Sequence, residues 1–313
     1  MEIRLPKDLL EFEESYATEA QCLEALTETK WPNGYTCPKC QGEKGWPLVK
    51  YRRIECAACG HQTSPFAGTL FHGCKLPLKK LFRLIYLIVG EKDGMNNCAL
   101  KRQLSINRKT AQLWSRKIRD ELKYREQSPL KGMVEVDETQ IGGPAEGHPG
   151  RSLGENQALV VILVEDNGGK CGRVRVEQVS NASGETLSTL VEQNVEVGST
   201  IRTDGWPAYN EATSVNYKHV VKIAKTKKDA SKELPLVHRV ASLLKRFILG
   251  TLHGSFNMLW LPWLLEEFTF RFNRRNSQYR PLLFNRVIEI GKSKRPPTRR
   301  QFRDLYSILK SVA

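Results

Sequence analysis

Apolar positions along the chain change their period three times, and each change marks a change of element type. Over the first 32 residues Leu9, Leu10, Phe12, Cys22, Leu23 and Leu26 recur at helical spacing, until Trp31-Pro32-Asn33-Gly34 ends the pattern with turn chemistry. Residues 35–73 are turn-rich and carry paired cysteines. Helical spacing returns over 76–123, broken at Asp93-Gly94 and at Ser105-Ile106-Asn107. Beyond Ser128-Pro129 the period becomes two. Segments 133–137, 158–164 and 173–176, separated by turns such as Asp166-Asn167-Gly168-Gly169, predict a three-stranded antiparallel meander. A helix over 183–194, a strand over 200–204, a short strand near 219–223 and helices over 232–249 and 259–272 follow.

Three strands, a helix, one or two strands and a helix form the element order of the RNase H-like fold. The expected class is therefore α/β. A helix and ribbon occupy 1–75, a helix-turn-helix-like module 76–128, and an RNase H-like mixed-sheet domain 129–313. The last ends in a basic, proline-containing tail around 292–300. There is no internal repeat.

Length and charge sharpen this reading. At 313 residues the chain has room for a catalytic domain of ordinary size plus small modules. Lys and Arg number 49 against 34 Asp and Glu, and the excess is spread along the chain, so a polyanionic partner is expected. A merely basic soluble protein would show the same excess, and the motifs have to decide. The apolar run 81–89 contains Arg83 and falls well short of the roughly 20 residues of a membrane span. Residues 1–14 lack the apolar core of a signal peptide. A cytoplasmic, nucleoid-associated protein is expected, whose cysteines are metal ligands or core residues instead of disulfides.

Cys37 and Cys40, then Cys56 and Cys59, form two C-x2-C pairs separated by 15 residues, the spacing of two knuckles that share one tetrahedral Zn2+. Gly60 supplies the permissive turn after the second pair. Residues 51–54 alternate like a ribbon strand with Arg52 and Arg53 facing out. A ribbon this small folds on its metal, and either contacts DNA or braces its neighbours. Cys22, Cys74, Cys98 and Cys171 lack such partners and are expected as buried thiols.

Residues 97–104, a turn at 105–107 and residues 108–122 have the proportions of a helix-turn-helix. Ala99, Leu104, Ile106, Ala111, Trp114 and Ile118 form the inner face, and Asn107 caps the second helix. Arg108, Lys109, Thr110, Gln112, Arg116, Lys117 and Arg119 decorate that helix, where early positions can reach base edges and later ones phosphates. A basic hairpin that only packs is the alternative.

Asp137 lies within the first strand of the meander and Asp204 at the end of a later strand, and the RNase H-like order sets these strands side by side. Metal-assisted phosphoryl transfer needs such hard oxygen ligands for Mg2+ or Mn2+. At this point five motifs add up. Residues 136–143 (Val-Asp-Glu-Thr-Gln-Ile-Gly-Gly), 203–209 (Thr-Asp-Gly-Trp-Pro-Ala-Tyr), 238–246 (His-Arg-Val-Ala-Ser-Leu-Leu-Lys-Arg), 250–254 (Gly-Thr-Leu-His-Gly) and 270–275 (Phe-Arg-Phe-Asn-Arg-Arg) resemble the zinc-ribbon insertion-sequence transposases related to the Merlin DNA transposons. The likeness runs from about residue 20 to 290. It implies a DDE-type enzyme that cuts double-stranded DNA at terminal inverted repeats, joins the 3′-OH ends to target DNA, and works as a homodimer or larger synaptic complex.

In that pattern a third Glu or Asn stands about 34 residues after the second Asp, ahead of a Lys. This chain has His238 at the matching position and Lys245 seven residues on, with no carboxylate between Glu233 and Glu266. Imidazole is a softer ligand than carboxylate. His238 is thus a metal ligand, a proton shuttle, a histidine satisfied within its helix, or a mark of lost activity, with Glu267 as the reserve carboxylate. Lys245 and Arg246 are placed to hold the DNA backbone, and Arg271, Arg274 and Arg275 alternate with Phe270 and Phe272 as outward phosphate contacts. Trp206 and Tyr209 suit core packing better than base stacking. The leading expectation is a DNA transposase. Its rival is a degenerate or domesticated relative that only binds DNA, and a nuclease that cuts without joining is a third reading.

Overall fold

The structure is a computed structural model, which describes residues 6–91, 93–122, 128–142, 157–212, 216–226, 229–252, 258–279, 281–291 and 301. Gly143, His253, Gly254 and the tail at 292–300 lie outside the described residues. The chain divides into two compact units, Met1–Lys123 with Asn276–Ala313, and Tyr124–Arg275.

The first unit opens with α1 (Leu9–Ser15) and α2 (Glu19–Lys30), two helices where the sequence predicted a single helical lead. Thr18 and Gln21 cap the second reciprocally, each side chain accepting the other's backbone N–H. The ribbon follows as β1 (Gly45–Leu48), β2 (Arg53–Cys56) and β3 (Gln62–Thr63), an antiparallel sheet in that order. Next come α3 (Leu78–Gly90), α4 (Asn97–Leu104) and α5 (Arg108–Leu122). Asn107 caps α5, its side chain accepting the N–H of Lys109 at 2.8 Å. Leu104, Ile106, Ala111, Trp114 and Ile118 of the expected inner face are buried, whereas Ala99 is half-buried and its neighbour Leu100 is buried in its place.

The sequence predicted a catalytic domain running through to residue 313, whereas the described residues from Asn276 to Gly291 group with the first unit. The reason is α11 (Pro281–Ile290), a helix the apolar pattern had not predicted. Its Phe284 stacks among Phe12, Tyr16 and Phe82 at centroid distances of 4.9–5.3 Å, and the Leu70 N–H donates to the Gly291 carbonyl at 2.7 Å.

The second unit is a five-stranded mixed sheet in the order β6-β5-β4-β7-β8, with β4 (Met133–Ile141), β5 (Ala158–Asp166), β6 (Cys171–Val179), β7 (Thr200–Thr203) and β8 (Lys218–Val221). β5 is antiparallel to both β4 and β6, while β7 runs parallel to β4 and β8 parallel to β7. This is the RNase H-like sheet. β5, an interior strand between β6 and β4, is buried over all but its last residue, as its continuous Ala-Leu-Val-Val-Ile-Leu-Val run requires. A parallel partner for β4 requires a crossover, and α6 (Gly184–Asn194) supplies it, capped by Ser183, which accepts the Thr186 N–H.

Strand alternation then builds two cores. Val134, Val136, Val161, Leu163 and Ile201 face α6 and α7 (Ala208–Ala212) on one side. Val160, Ile162, Val164, Val174 and Val176 face α9 (Pro235–Leu252) and α10 (Leu261–Asn273) on the other. A single turn, α8 (Ala230–Glu233), precedes α9.

Candidate active site

β4 pairs with β7 through Met133–Thr200, Val134–Ile201 and Glu135–Arg202, and continuing that register sets Asp137 opposite Asp204. Residues 135, 137 and 139 share the face that looks toward α9, because Val134 and Val136 take the opposite one. The turn that delivers Asp204 depends on Gly205, whose φ of +90° is left-handed and whose missing Cβ leaves room for Val221 and Ile223. The Asp204 carboxylate accepts the Trp206 N–H at 3.0 Å, which closes the turn.

His238, one turn into α9, points back at β4, and its Nε2 lies 3.9 Å from Asp137 Oδ2. That is too long for a hydrogen bond. Burial pushes the Asp137 carboxyl up to about 7, and the charges of Glu138 and Asp204 add to the effect. Tyr209 lies wholly buried beneath the same carboxylates. Burial first, then Glu138, Asp137 and Asp204, hold its phenol well above 10. Crowded acids with little solvent are a donor set that suits a divalent cation. Asp137, Asp204 and His238 nonetheless do not close into a cluster as tight as that of the four cysteines.

Lys245 and Arg246 are exposed on α9. Lys245 follows His238 and Ser242 along one stripe of the helix, roughly 10 Å further on at 1.5 Å per residue. Glu267, the reserve ligand, is out of reach. It is fully buried on α10, which packs against β6 two strands away from β4, and it accepts from Arg271 Nη1 at 3.0 Å. That pairing also corrects the expectation for Arg271. It is buried, with its guanidinium 4.9 Å from the centre of the Phe247 ring, because the Phe-rich face of α10 draws the whole stretch inward. Arg274 and Arg275 are half-buried and lie over Phe270 and Phe272, and Arg275 donates to the carbonyls of Cys171 and Gly172. These arginines join elements of the second unit.

On α5, Arg108, Lys109 and Gln112 are exposed and Arg116 half-buried. Lys117 is buried, its ammonium 4.8 Å from the Trp114 ring centre, and Arg119 is buried too, so neither belongs to the exposed face the sequence assigned them. Arg52 also turns inward, donating to Glu19 and to the carbonyls of Cys74 and Leu76, and so braces the ribbon against α2. Of the four lone cysteines Cys22 is fully buried, Cys74 and Cys171 are partly buried, and Cys98 is exposed, contrary to expectation.

The thiolates of Cys37, Cys40, Cys56 and Cys59 lie within 4.8 Å of one another, with Cys37–Cys59 at 3.8 Å and Cys40–Cys56 at 3.5 Å. Four sulfurs about 2.3 Å from a tetrahedral zinc stand roughly 3.8 Å apart, so the set fits that ion. Each knuckle is closed by left-handed backbone, at Gln41 (φ 61°) and at Gly60 (φ 68°). Among the described residues this is the one convergent group of three or more potential ligands.

Sequence reasoning treated Glu135, Glu138 and Tyr209 as parts of a strand and a core. A readable signal was present in the alternation of β4, which puts Glu135 and Asp137 on one face.

The described helices include none long and apolar enough to cross a membrane. Comparison with known proteins gives two family matches, a transposase zinc-ribbon domain at residues 17–62 and an ISXO2-like transposase domain at 129–273, which together cover more than half of the chain. A protein of Halobacterium salinarum described as an uncharacterized protein in transposable element ISH50 is 24% identical over 214 residues, spanning 63% of this chain and 70% of its own. Solved structures that align are a pre-cleavage Mos1 transpososome and a Mos1 strand transfer complex. They show 10% and 12% identity and TM-scores of 0.23 and 0.22, cover 67% of this chain and 78% of theirs in both cases, and at such scores nothing about this chain follows. With its ribbon cysteines gathered and its mixed sheet carrying the motifs of the longer match, the chain carries the zinc-ribbon domain and the ISXO2-like domain of insertion-sequence transposases.

Proposed function

We propose that the protein is an active DDE-type DNA transposase, which binds the terminal inverted repeats of its element, cleaves one strand by hydrolysis and joins the freed 3′-OH to target DNA. The observation that carries this reading is the meeting of Asp137 and His238, 3.9 Å apart, beside the strand end that bears Asp204. Asp137 and Asp204 would hold Mg2+ or Mn2+, with His238 as the third ligand. When bound, the ion supplies charge that activates the attacking oxygen and stabilises the leaving one. The carboxylates and imidazole fix its place on adjacent strands and a facing helix. Lys245 and Arg246, exposed on that helix, hold the strand being cut through its phosphates. The exposed start of α5, with Arg108, Lys109 and Gln112, approaches the repeat in the manner of a recognition helix.

The test is strand-specific nicking and joining of DNA bearing the element's own ends, in Mg2+ and in Mn2+. Asp137→Ala and Asp204→Ala should each abolish product, and His238→Ala should reduce it to a low residual level, while end binding persists. A wild-type protein that binds the ends without cutting them is instead a DNA-binding relative, and one that cuts without joining is a nuclease.

A further inference from the structure

Glu135 lies two residues before Asp137 on the same face of β4 and has no solvent exposure. Its Oε2 accepts two backbone N–H groups, from Leu236 at 2.9 Å and Val237 at 3.0 Å. Its Oε1 accepts from Arg202 Nη1 at 3.1 Å, and the same guanidinium reaches Asp166 Oδ2 at 3.5 Å. Leu236 and Val237 sit in the first turn of α9, where N–H groups have no partner within the helix. Such groups are ordinarily met by a side chain just ahead of the helix. Here the cap is borrowed from a strand 101 residues away in sequence, and anionic charge at a helix N-terminus is favourable.

His238 is the next residue after Val237, and its own N–H donates to the Leu234 carbonyl at 3.2 Å. One carboxylate therefore joins the strand that bears Asp137 to the helix turn that bears His238. We infer that Glu135 is the positioning residue of this site, setting the register of α9 so that the His238 imidazole stands opposite Asp137. A glutamine of the same shape cannot replace it. Its single carbonyl oxygen can serve either the two amides or Arg202, and its NH2 then faces another donor. The inference rests on the transposase reading for its functional meaning, though the contact itself does not. A buried ion pair with Arg202 that merely stabilises the sheet is the competing account.

Two measurements separate these accounts. Nicking of end-bearing DNA is compared for wild type, Glu135→Gln, His238→Ala and the double variant, with thermal midpoints recorded alongside. Misplacement of a reacting group by about 1 Å costs on the order of a hundredfold, so Glu135→Gln should nick roughly 10–100-fold more slowly. If it acts through His238, the same change in the His238→Ala background should cost less than about twofold. An equal loss in both backgrounds, or wild-type activity in Glu135→Gln, overturns the inference. Amide hydrogen exchange supplies the second readout. The Leu236 and Val237 amides should exchange at least about tenfold faster in Glu135→Gln while those of β5 stay protected, and unchanged exchange at the two amides overturns the inference as well. If His238→Ala leaves too little activity to compare, His238→Asn takes its place in the same comparison. Should the wild type neither nick nor join, the transposase reading fails, and exchange alone still tells whether Glu135 fixes the turn.

Discussion

Asp137 and His238 face each other across 3.9 Å from a strand and a helix far apart in the chain, and the Asp137 carboxyl is pushed up to about 7. Burial is the main cause, with the charges of Glu138 and Asp204 behind it. A folded-state value above the ordinary 3.8 has a definite sign. The metal-free fold has its full stability below pH 4 as far as this group is concerned, and loses that share as pH rises through about 7. Asp137→Asn should therefore be more stable than wild type at pH 8 without metal, by on the order of 1–3 kcal/mol or several degrees of Tm, and not at pH 4. Mn2+ should raise the Tm of wild type at pH 8 and leave the variant nearly unmoved. Calorimetry at the two pH values, with and without metal, checks both halves.

Glu165 behaves in the opposite sense. Burial alone would raise it, but the Arg173 side chain and the N–H groups of Lys131 and Arg173 outweigh burial and hold it below 4.5. Its contribution is present above the unfolded-state value and disappears as pH falls through the lower folded-state one. Glu165→Gln should cost about 1–3 kcal/mol at pH 7, the scale of hydrogen bonds to a charged group. The gap from wild type should close in denaturant titrations only as pH falls through that lowered folded-state value, where the wild-type carboxylate is protonated as well.

Gly205 positions Asp204 through backbone that only glycine adopts without strain. At φ +90°, a Cβ would come 2.9 Å from Val221 Cγ1 and 3.1 Å from Ile223 Cγ1. Gly205→Ala should lower Tm by a few degrees, from about 1–2 kcal/mol of strain, and reduce DNA nicking far more steeply than stability. Nicking assayed well below the melting temperature separates the two effects, and a proportionate loss of both would argue against a positioning role for the turn.

How much of this was open to a reader of the sequence follows from the range over which each cause acts. The C-x2-C spacing and the alternation of β4, β5 and β6 are local, so the ribbon and the meander could be read directly. The pairing of Asp137 with Asp204 needed only strand order. By contrast, α11 is too short and too apolar to announce its partner, and it is tied to the first unit by Phe284 among Phe12 and Phe82. Lys117 and Arg271 looked like surface charges because their partners, Trp114 and Glu267, are defined by packing and not by residue type. Glu135 escaped notice for the same reason, since the amides it meets belong to a helix a hundred residues later.

Zinc removal should be a local event. The ribbon has three short strands and few buried apolar side chains, so the four thiolates hold it together. Cys56→Ser, or a strong chelator, should release one equivalent of zinc and unfold β1–β3, seen as lost amide dispersion for residues 45–63. The second unit carries its own two cores and should keep its melting transition.

The exposed and buried cations of α5 make opposite predictions. Arg108 and Lys109 stand free of the core at the start of the helix, where a phosphate can reach them. Replacing either with alanine should leave Tm within about 0.5 kcal/mol of wild type and weaken DNA binding. The slope of log affinity against log salt should fall by about one for each phosphate that is no longer neutralised. Lys117→Ala removes a stem packed over Trp114, so it should lower stability by about 1–2 kcal/mol and leave the salt slope unchanged. Fluorescence anisotropy on a labelled terminal repeat between about 50 and 200 mM salt reads both. Equal slopes for wild type and both surface variants would remove α5 from the DNA interface, and a changed slope for Lys117→Ala would mean that its ammonium leaves Trp114 to meet a phosphate.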